Sequence, residues 1–381
     1  MGFVKHVNIS YNPNMRIGID CRLWEQTGVG RYTRNIVLNL QAIDKKNQYV
    51  LFVRPDDSEM IKKQIANSKW KIVNVNIKWH SVAEQLRFPS LIKQQKLDLM
   101  HFPYFSVPIF YNRPYVVTIH DLIINHFSTG KASTLIYPVY LAKREAYKFI
   151  IRQAARNARK IIAPSNATKQ EIMDHLKISE NKIDVICEAS ELSSQQSAVG
   201  SQKYGKYFLY VGNAYPHKNL ERLIQAFKKI VNEHQDLKLI LVGQKDYFYQ
   251  RLEKEYQSDN IIFYGKAGDK ELVSLYTNAV ALVAPSLMEG FGLPVLEAMS
   301  LRCLVVASDI PAFREIAGEN ALYFNPQDLA DIHAKLKNVL ENGEKYKEEK
   351  LEKAFNKSQQ FSWRKAAEQT LNIYESCVGI R

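Results

Sequence analysis

The sequence holds no unbroken apolar run approaching the ~18 residues that a membrane-spanning helix needs. Its opening residues, MGFVKHVNISYNPN, lack the apolar block of roughly 7–15 residues that marks a secretory leader. A cytoplasmic protein is therefore expected, or one peripheral on the cytoplasmic face of a membrane. Cysteine is sparse: Cys21, Cys187, Cys303 and Cys377 are scattered, and no pair has redox or metal-ligand spacing. Reduced, structural thiols are expected. Missing too are an Asp-x-Asp pair and a His/Cys/carboxylate metal cluster. No Ser/His/Asp nucleophile pattern stands out. Helix-turn-helix, zinc-finger and RNA-recognition signatures are absent, as are internal repeats and low-complexity tracts.

What is present is charge and alternation. Residues 1–200 carry 28 Lys+Arg against 16 Asp+Glu, whereas residues 201–381 carry 24 against 23. Nearly all of the net +13 thus sits in the first half. That half is expected to meet an anionic partner: nucleic acid, an acidic membrane surface or a phosphorylated substrate. Short apolar runs rich in β-branched residues recur between longer helical patterns. In the first half they are RIGID (16–20), YVLFVRP (49–55), KIVNVNI (71–77), LDLMHF (97–102), PYVVTIHD (114–121), KIIAPS (160–165) and KIDVICEA (182–189). In the second they are KYFLYVGN (206–213), LKLILVG (237–243), IIFYG (261–265), AVALVAPS (279–286), CLVVASD (303–309) and ALYFNP (321–326). Such runs suit strands buried on both faces, hence an α/β fold of parallel sheets wrapped by helices. The polar stretch SSQQSAVGSQKYG (193–205) reads as a linker between two Rossmann-like domains, 1–192 and 206–362, and residues 363–381 as a C-terminal helix. Ligands favour the cleft between such domains. A basic, amphipathic pattern over 135–159 predicts either an ordinary packed helix or one that leans on anionic lipid.

The most specific stretch is EGFGLPVLE, residues 289–297. It joins an apolar strand to a helix, with Pro294 placed for the first helical position. Gly290 and Gly292 allow close approach, and the free amides of a helix start attract a phosphate. Glu289 and Glu297 are poor neighbours for a phosphate but good acceptors for hydroxyls. Phosphates in the middle and hydroxyls on both sides describe a nucleotide sugar. Earlier in the chain, His120 ends the strand run PYVVTI, the position that faces the ligand crevice of such sheets; a core histidine is the other reading. Gly28 and Gly30 form an incomplete G-x-G-x-x-G between the first strand and its helix, with Thr33 at the third glycine position. That argues against a dinucleotide-dependent oxidoreductase.

EGFGLPVLE resembles the E-x7-E motif of retaining glycosyltransferases of family 4, which have the GT-B fold. The resemblance extends to GVGR (28–31), HDL (120–122), APSNATK (163–169), VGNAYPHKNLERLIQAF (211–227) and SDIPAFREIAGENALYFNP (308–326). Its overall pattern is similar to that of bacterial mannosyltransferases of lipopolysaccharide and O-antigen synthesis. The resemblance implies transfer of a hexose, with mannose from GDP-mannose the first guess, to a glycan or polyprenyl-diphosphate-linked acceptor. It implies that Glu289 meets the donor sugar, Glu297 the ribose diol, and Phe291, Gly292 and Leu293 offer backbone to sugar and diphosphate. Lys218 would hold the diphosphate, with Asn213 where the family commonly has a basic residue. His120 would touch the sugar near the reacting carbon. Gly28, Gly30 and Arg31 would border the acceptor and the phosphates, and Tyr264, Gly265 and Lys266 the base. Without an Asp-x-Asp motif, metal-independent stabilisation of the leaving diphosphate is expected, with no cofactor and no nucleic-acid partner. The alternatives are another activity on the same fold, such as a nucleotide-sugar epimerase, or a non-catalytic polyanion binder, which would explain the charge but not residues 289–297.

Overall fold

Every apolar run named above holds a strand, trimmed at its ends, and the intervening amphipathic stretches form the covering helices. The computed structural model describes residues 14–26, 28–65, 70–127, 137–192 and 204–378. The first half contains β1 (Arg16–Asp20), α1 (Gly28–Ile43), β2 (Gln48–Val53), α2 (Ser58–Gln64), β3 (Lys71–Asn74), α3 (Val82–Gln94), β4 (Leu99–Phe102), β5 (Tyr115–Thr118), α4 (Ile123–His126), α5 (Tyr137–Asn157), β6 (Lys160–Ala163), α6 (Asn166–Leu176) and β7 (Ile183–Val185). The second contains β8 (Tyr207–Val211), α7 (Leu220–Val231), β9 (Lys238–Val242), α8 (Tyr247–Tyr256), β10 (Ile261–Gly265), α9 (Asp269–Asn278), β11 (Ala281–Ala284), α10 (Leu293–Ser300), β12 (Val305–Ser308), α11 (Pro311–Ala317), β13 (Leu322–Phe324), α12 (Leu329–Ser358) and α13 (Trp363–Val378). Of the linker stretch 193–205, only Tyr204 and Gly205 fall within the described residues.

Two sheets result, ordered β3-β2-β1-β4-β5-β6-β7 and β10-β9-β8-β11-β12-β13. All of their pairings are parallel. In each sheet the order reverses beside the first strand, between β1 and β4 and between β8 and β11. That reversal opens a crevice beyond the carboxyl ends of the strands, where α/β sheets take ligands. Parallel strands need crossovers, and these are amphipathic: α7 buries Leu220, Leu223, Ile224, Phe227 and Ile230, a stripe at helical spacing. Central strands are apolar on both faces, as in β11 and β12, which are buried throughout. The four cysteines are free thiols; Cys21, Cys303 and Cys377 are buried.

The chain crosses between the sheets twice. Ile186 and Ala189 belong to the first core, whereas Leu192 packs in the second. After α12 covers the second sheet, α13 returns to the first, burying Trp363, Ala366, Ala367, Ile373, Tyr374 and Cys377 with α1, β1 and β2. A buried polar chain anchors it. Tyr374 Oη lies 2.6 Å from His101 Nδ1, His101 Nε2 lies 2.9 Å from Thr118 Oγ1, and Tyr32 Oη lies 3.0 Å from the same hydroxyl. Burial, with His120 nearby, pushes the His101 pKa down to about 3, so its ring stays neutral.

Replacing Tyr374 by Phe keeps the ring and removes the partner of His101 Nδ1. An unsatisfied buried polar atom costs about 1–3 kcal/mol. The Tyr374→Phe variant should therefore lose about 1–3 kcal/mol of unfolding free energy, read as a lower urea midpoint; an unchanged midpoint would show that the hydroxyl does not anchor α13.

Candidate active site

The two crevices face one another, and the candidate residues sit at strand ends. β8 ends at Val211, and the chain turns through Gly212, whose φ is +152°, into the segment Pro216–Lys218 ahead of α7. β11 ends at Ala284 and leads through Ser286 to Glu289. Because β8 and β11 are neighbours, these two loops meet. Lys218 Nζ donates to Glu289 Oε1 at 2.6 Å, and Ser286 Oγ donates to the same oxygen at 2.7 Å. Burial opposes the Glu289 charge, but the Lys218 ammonium, with His217 and the Ser286 hydroxyl, outweighs it and holds the carboxyl below its ordinary range. Burial beside Lys218 drives the His217 pKa to about 4. A small cavity lies here, lined by Tyr210, Lys218, Ser286, Glu289, Pro294 and Phe313 among others.

α10 starts beside this pair. Gly292 has φ +114°, and a Cβ there would lie 2.8 Å from the Phe313 ring, so glycine is required twice over. Leu293 opens the helix, which moves Pro294 to its second position rather than the first. The early amides of a helix have no intrahelical acceptor. Among the described residues, none accepts from the N–H groups of Phe291, Gly292 or Leu293. The Phe291 side chain itself is buried, edge-on to Phe361. Gly290 serves the domain contact instead. A Cβ on it would lie 1.8 Å from the His120 carbonyl oxygen. Its own carbonyl accepts from Ser165 Oγ at 2.5 Å and Thr168 Oγ1 at 2.9 Å, both at the start of α6.

The second glutamate has other partners. Glu297 is only 2% exposed; its two oxygens take a hydrogen bond from Arg31 on α1 and one from Tyr276 Oη at 2.9 Å. Burial wins here, and the Glu297 pKa lies above its ordinary value despite the Arg31 charge. Arg31 also approaches Glu191 at 3.2 Å and Asp269 at 3.7 Å, so acids surround it. Gly28 and Gly30 are not in a loop before α1, as the sequence suggests, but form its first turn. Gly30 packs against the preceding turn, where a Cβ would meet the Trp24 carbonyl oxygen at 2.4 Å, while nothing lies near Gly28.

His120 follows β5. Its Nδ1 lies 3.0 Å from Glu188 Oε1 and its Nε2 lies 2.9 Å from the Pro103 carbonyl oxygen. Burial disfavours the imidazolium, but the Glu188 carboxylate and the Pro103 carbonyl outweigh it, so the pKa is raised. Both ring nitrogens are thus engaged by the protein. Asp121 beside it is pushed upward by burial, and Glu289 adds to that. Asn213 is used locally: its carbonyl accepts from Tyr210 Oη at 2.5 Å and its Oδ1 from the Tyr215 amide at 3.3 Å. Gly265, with φ +84°, ends β10, and its amide donates to Tyr249 Oη at 3.0 Å. Lys266 is exposed at the same sheet edge, and Tyr264 Oη donates to Glu271 at 2.8 Å.

Sequence reasoning missed Ser286, Tyr276, Glu188 and Glu315. Glu315 reaches from α11 across to the α6 start, accepting from the Asn166 and Ala167 amides at 2.9 and 3.1 Å. One signal was there: Ala-Pro-Ser follows both β6 and β11, and each serine, Ser165 and Ser286, reaches the turn at residues 289–290. The expectation that no His/carboxylate cluster exists is also corrected. His126, Glu171 and His175 converge, with donor atoms within 4.8 Å of one another. The fold joins a residue of α4 to two of α6, which no local spacing reveals.

A family model described as glycosyltransferase family 4 matches residues 26–189, and one described as glycosyl transferases group 1 matches residues 193–358. The O-antigen chain mannosyltransferase RfbU of Salmonella typhimurium is 28% identical over 264 residues, 68% of this chain and 70% of its own. The O-antigen chain mannosyltransferase B of Escherichia coli is 26% identical over 375 residues, 92% of this chain and 96% of its own. The fold matches that of a glycosyltransferase from Rickettsia africae, with TM-score 0.70, 17% identity and coverage of 97% and 100%. It also matches that of Anabaena HepE in complex with UDP and glucose, with TM-score 0.71, 16% identity and coverage of 95% and 100%.

The Gly290 contact can be tested directly. Gly290→Ala forces a methyl against a backbone carbonyl and should lower the melting temperature and raise the radius of gyration in solution scattering, as the domains separate. Gly343→Ala, where nothing lies within 4 Å, should instead raise stability by up to about 1 kcal/mol, since alanine favours a helix. Equal melting of the two variants would refute the domain contact.

Proposed function

From a chain that belongs to glycosyltransferase family 4 in its first half and to the glycosyl transferases group 1 in its second, with the GT-B arrangement of two Rossmann-like domains, we propose that it moves a hexose from a nucleoside-diphosphate sugar to a glycan or lipid-linked acceptor. The division at the 193–205 stretch, with the donor on the second domain and the acceptor on the first, is part of this reading. So are mannose from GDP-mannose, retention of anomeric configuration, and a place in lipopolysaccharide or polysaccharide synthesis; the names of the two O-antigen mannosyltransferase relatives support the mannose and the polysaccharide product, while GDP and retention rest on the resemblance of residues 289–297 to the family motif.

The observation that carries the proposal is the meeting of Lys218, Glu289 and the unpaired amides of residues 291–293 at the switch point of the second sheet. An ammonium group has three donors. One goes to Glu289, and two remain for a diphosphate that also takes the helix-end amides. Preorganised donors of this kind favour the charge that grows on a leaving diphosphate. No metal at the diphosphate is part of the reading. Glu289, held anionic, accepts from sugar hydroxyls. Glu297 accepts from the ribose diol once the donor displaces Arg31 or shares it. Since both carboxylates already have partners, neither is poised as a covalent nucleophile, and same-face displacement is the retaining route proposed. His120, fixed by the Glu188 carboxylate and the Pro103 carbonyl, lies beside the sugar; Gly28, Gly30, Asn213, Gly265 and Lys266 border the donor.

The acceptor side is basic, and we place it against an anionic membrane. No helix among the described residues is long and apolar enough to cross one. The start of α3 and the adjoining turn expose Val82 (74%), Leu86 (60%) and Phe110 (62%). The Ile109 amide donates to Gln85 Oε1 at 2.9 Å, which joins the two segments. Lys78, Arg87, Lys93 and Arg113, near them in sequence, are exposed as well. Apolar side chains accompanied by cations suit the headgroup boundary of an anionic bilayer.

Lys218→Ala should lower kcat/KM by roughly 10²–10³, the cost of losing one charge-stabilising donor. A loss of tenfold or less in a folded variant would remove Lys218 from the mechanism. In a melting panel of GDP, UDP, ADP and their sugars, a bound nucleotide raises the midpoint; GDP and GDP-mannose should raise it most, and a stronger UDP response would change the donor. Vesicles with anionic lipid should sediment the protein at low salt and release it at high salt, and Leu86→Asp with Phe110→Asp should abolish sedimentation. Persistence of binding in that double variant would move the contact elsewhere.

A further inference from the structure

Outside the catalytic cleft, one cluster of side chains among the described residues has the composition of a metal site. His126 closes α4, and Glu171 and His175 lie one turn apart on the same face of α6. His126 Nε2 lies 2.8 Å from Glu171 Oε2, and His175 Nε2 lies 3.3 Å from the same oxygen. The two imidazoles meet edge to face with centroids 4.7 Å apart. Two imidazoles and a carboxylate form a donor set suited to zinc and its neighbours rather than to magnesium or calcium. Around a tetrahedral zinc with bonds of about 2.0–2.2 Å, the donor atoms stand roughly 3.3–3.5 Å apart. The observed spacings reach that geometry with shifts of well under a residue's reach. About a third of each side chain is open to solvent, 32% for His126, 32% for Glu171 and 42% for His175, so water can complete the coordination.

We propose that His126, Glu171 and His175 bind one zinc-class divalent cation that clasps α4 to α6. The position gives the clasp a consequence. α4 begins immediately after His120, Asp121 and Leu122, and the Asp121 carboxylate accepts from the Ile123 amide at 3.0 Å. The α6 start carries Ser165 and Thr168, which hold the Gly290 carbonyl, and Thr168 Oγ1 also reaches the His120 carbonyl at 3.3 Å. A metal at the far end of the same two helices fixes the His120 segment on the helix that seats the donor-side turn. It takes no part in holding the diphosphate, since none of its three ligands lines the Lys218–Glu289 cavity.

Calorimetric titration of ZnCl2 into the full chain, after chelator treatment and dialysis, tests this. One ion per chain should bind with a micromolar or tighter constant and raise the melting temperature. Loss of even an outer partner of a metal ligand costs 10–100-fold in affinity, so His126→Ala, Glu171→Ala and His175→Ala should each weaken binding about 100-fold or more. His234→Ala, at an exposed histidine on the other domain, should leave it unchanged. The three ligand variants should melt with the wild type when zinc is absent, which separates lost binding from lost folding. Absence of saturable binding below about 1 mM, or retention of the single site in all three variants, would overturn the proposal.

Discussion

A backbone carbonyl of the first domain touches a backbone α-carbon of the second, with no side chain between them. This contact of His120 with Gly290 sets the separation of the two sheets, and the neighbouring interactions follow from it. Ser165 and Thr168 can reach the Gly290 carbonyl only because α6 is brought this near, and Glu315 can cap α6 across the gap for the same reason. The two glycines of residues 289–297 therefore answer different demands. Gly290 permits domain approach, and Gly292 permits a left-handed turn against Phe313. Neither requirement refers to a ligand, yet together they leave the amides of residues 291–293 without partners among the described residues.

The two glutamates of that stretch are chemically unlike although eight residues apart. One sits against an ammonium and a hydroxyl and loses its proton more readily; the other is enclosed so fully that burial outweighs an arginine. Position on the helix explains the difference. Glu289 precedes α10 and lies at the mouth of the crevice, while Glu297 projects from its second turn toward α9 and α1. Arg31 therefore ties the domains together through the buried Glu297 carboxylate, and on the reading proposed above a donor's ribose would compete for that same group.

The architecture was legible because parallel strands buried on both faces must be continuous apolar runs, and every such run held a strand. The Lys218–Glu289 pairing was legible only in part. Each residue could be placed at a strand end, but that they would pair follows from β8 lying beside β11, a topological fact. Partners chosen across the fold were not legible at all: Tyr276 for Glu297, Glu188 for His120, Glu315 for α6. The glycines before α1 misled for a physical reason. Glycine signals a loop by its freedom, but Gly30 is there because the helix start lies flush against the Trp24 carbonyl.

Residues 189–192 carry the chain out of the first domain, and residues 359–362 carry it back, with Phe361 packed against both cores. The domains are thus held by two chain crossings in addition to the His120–Gly290 contact. Each crossing also leans on the cleft, through Glu191 against Arg31 and Phe361 against Phe291, so a change in either connection would be felt between the domains.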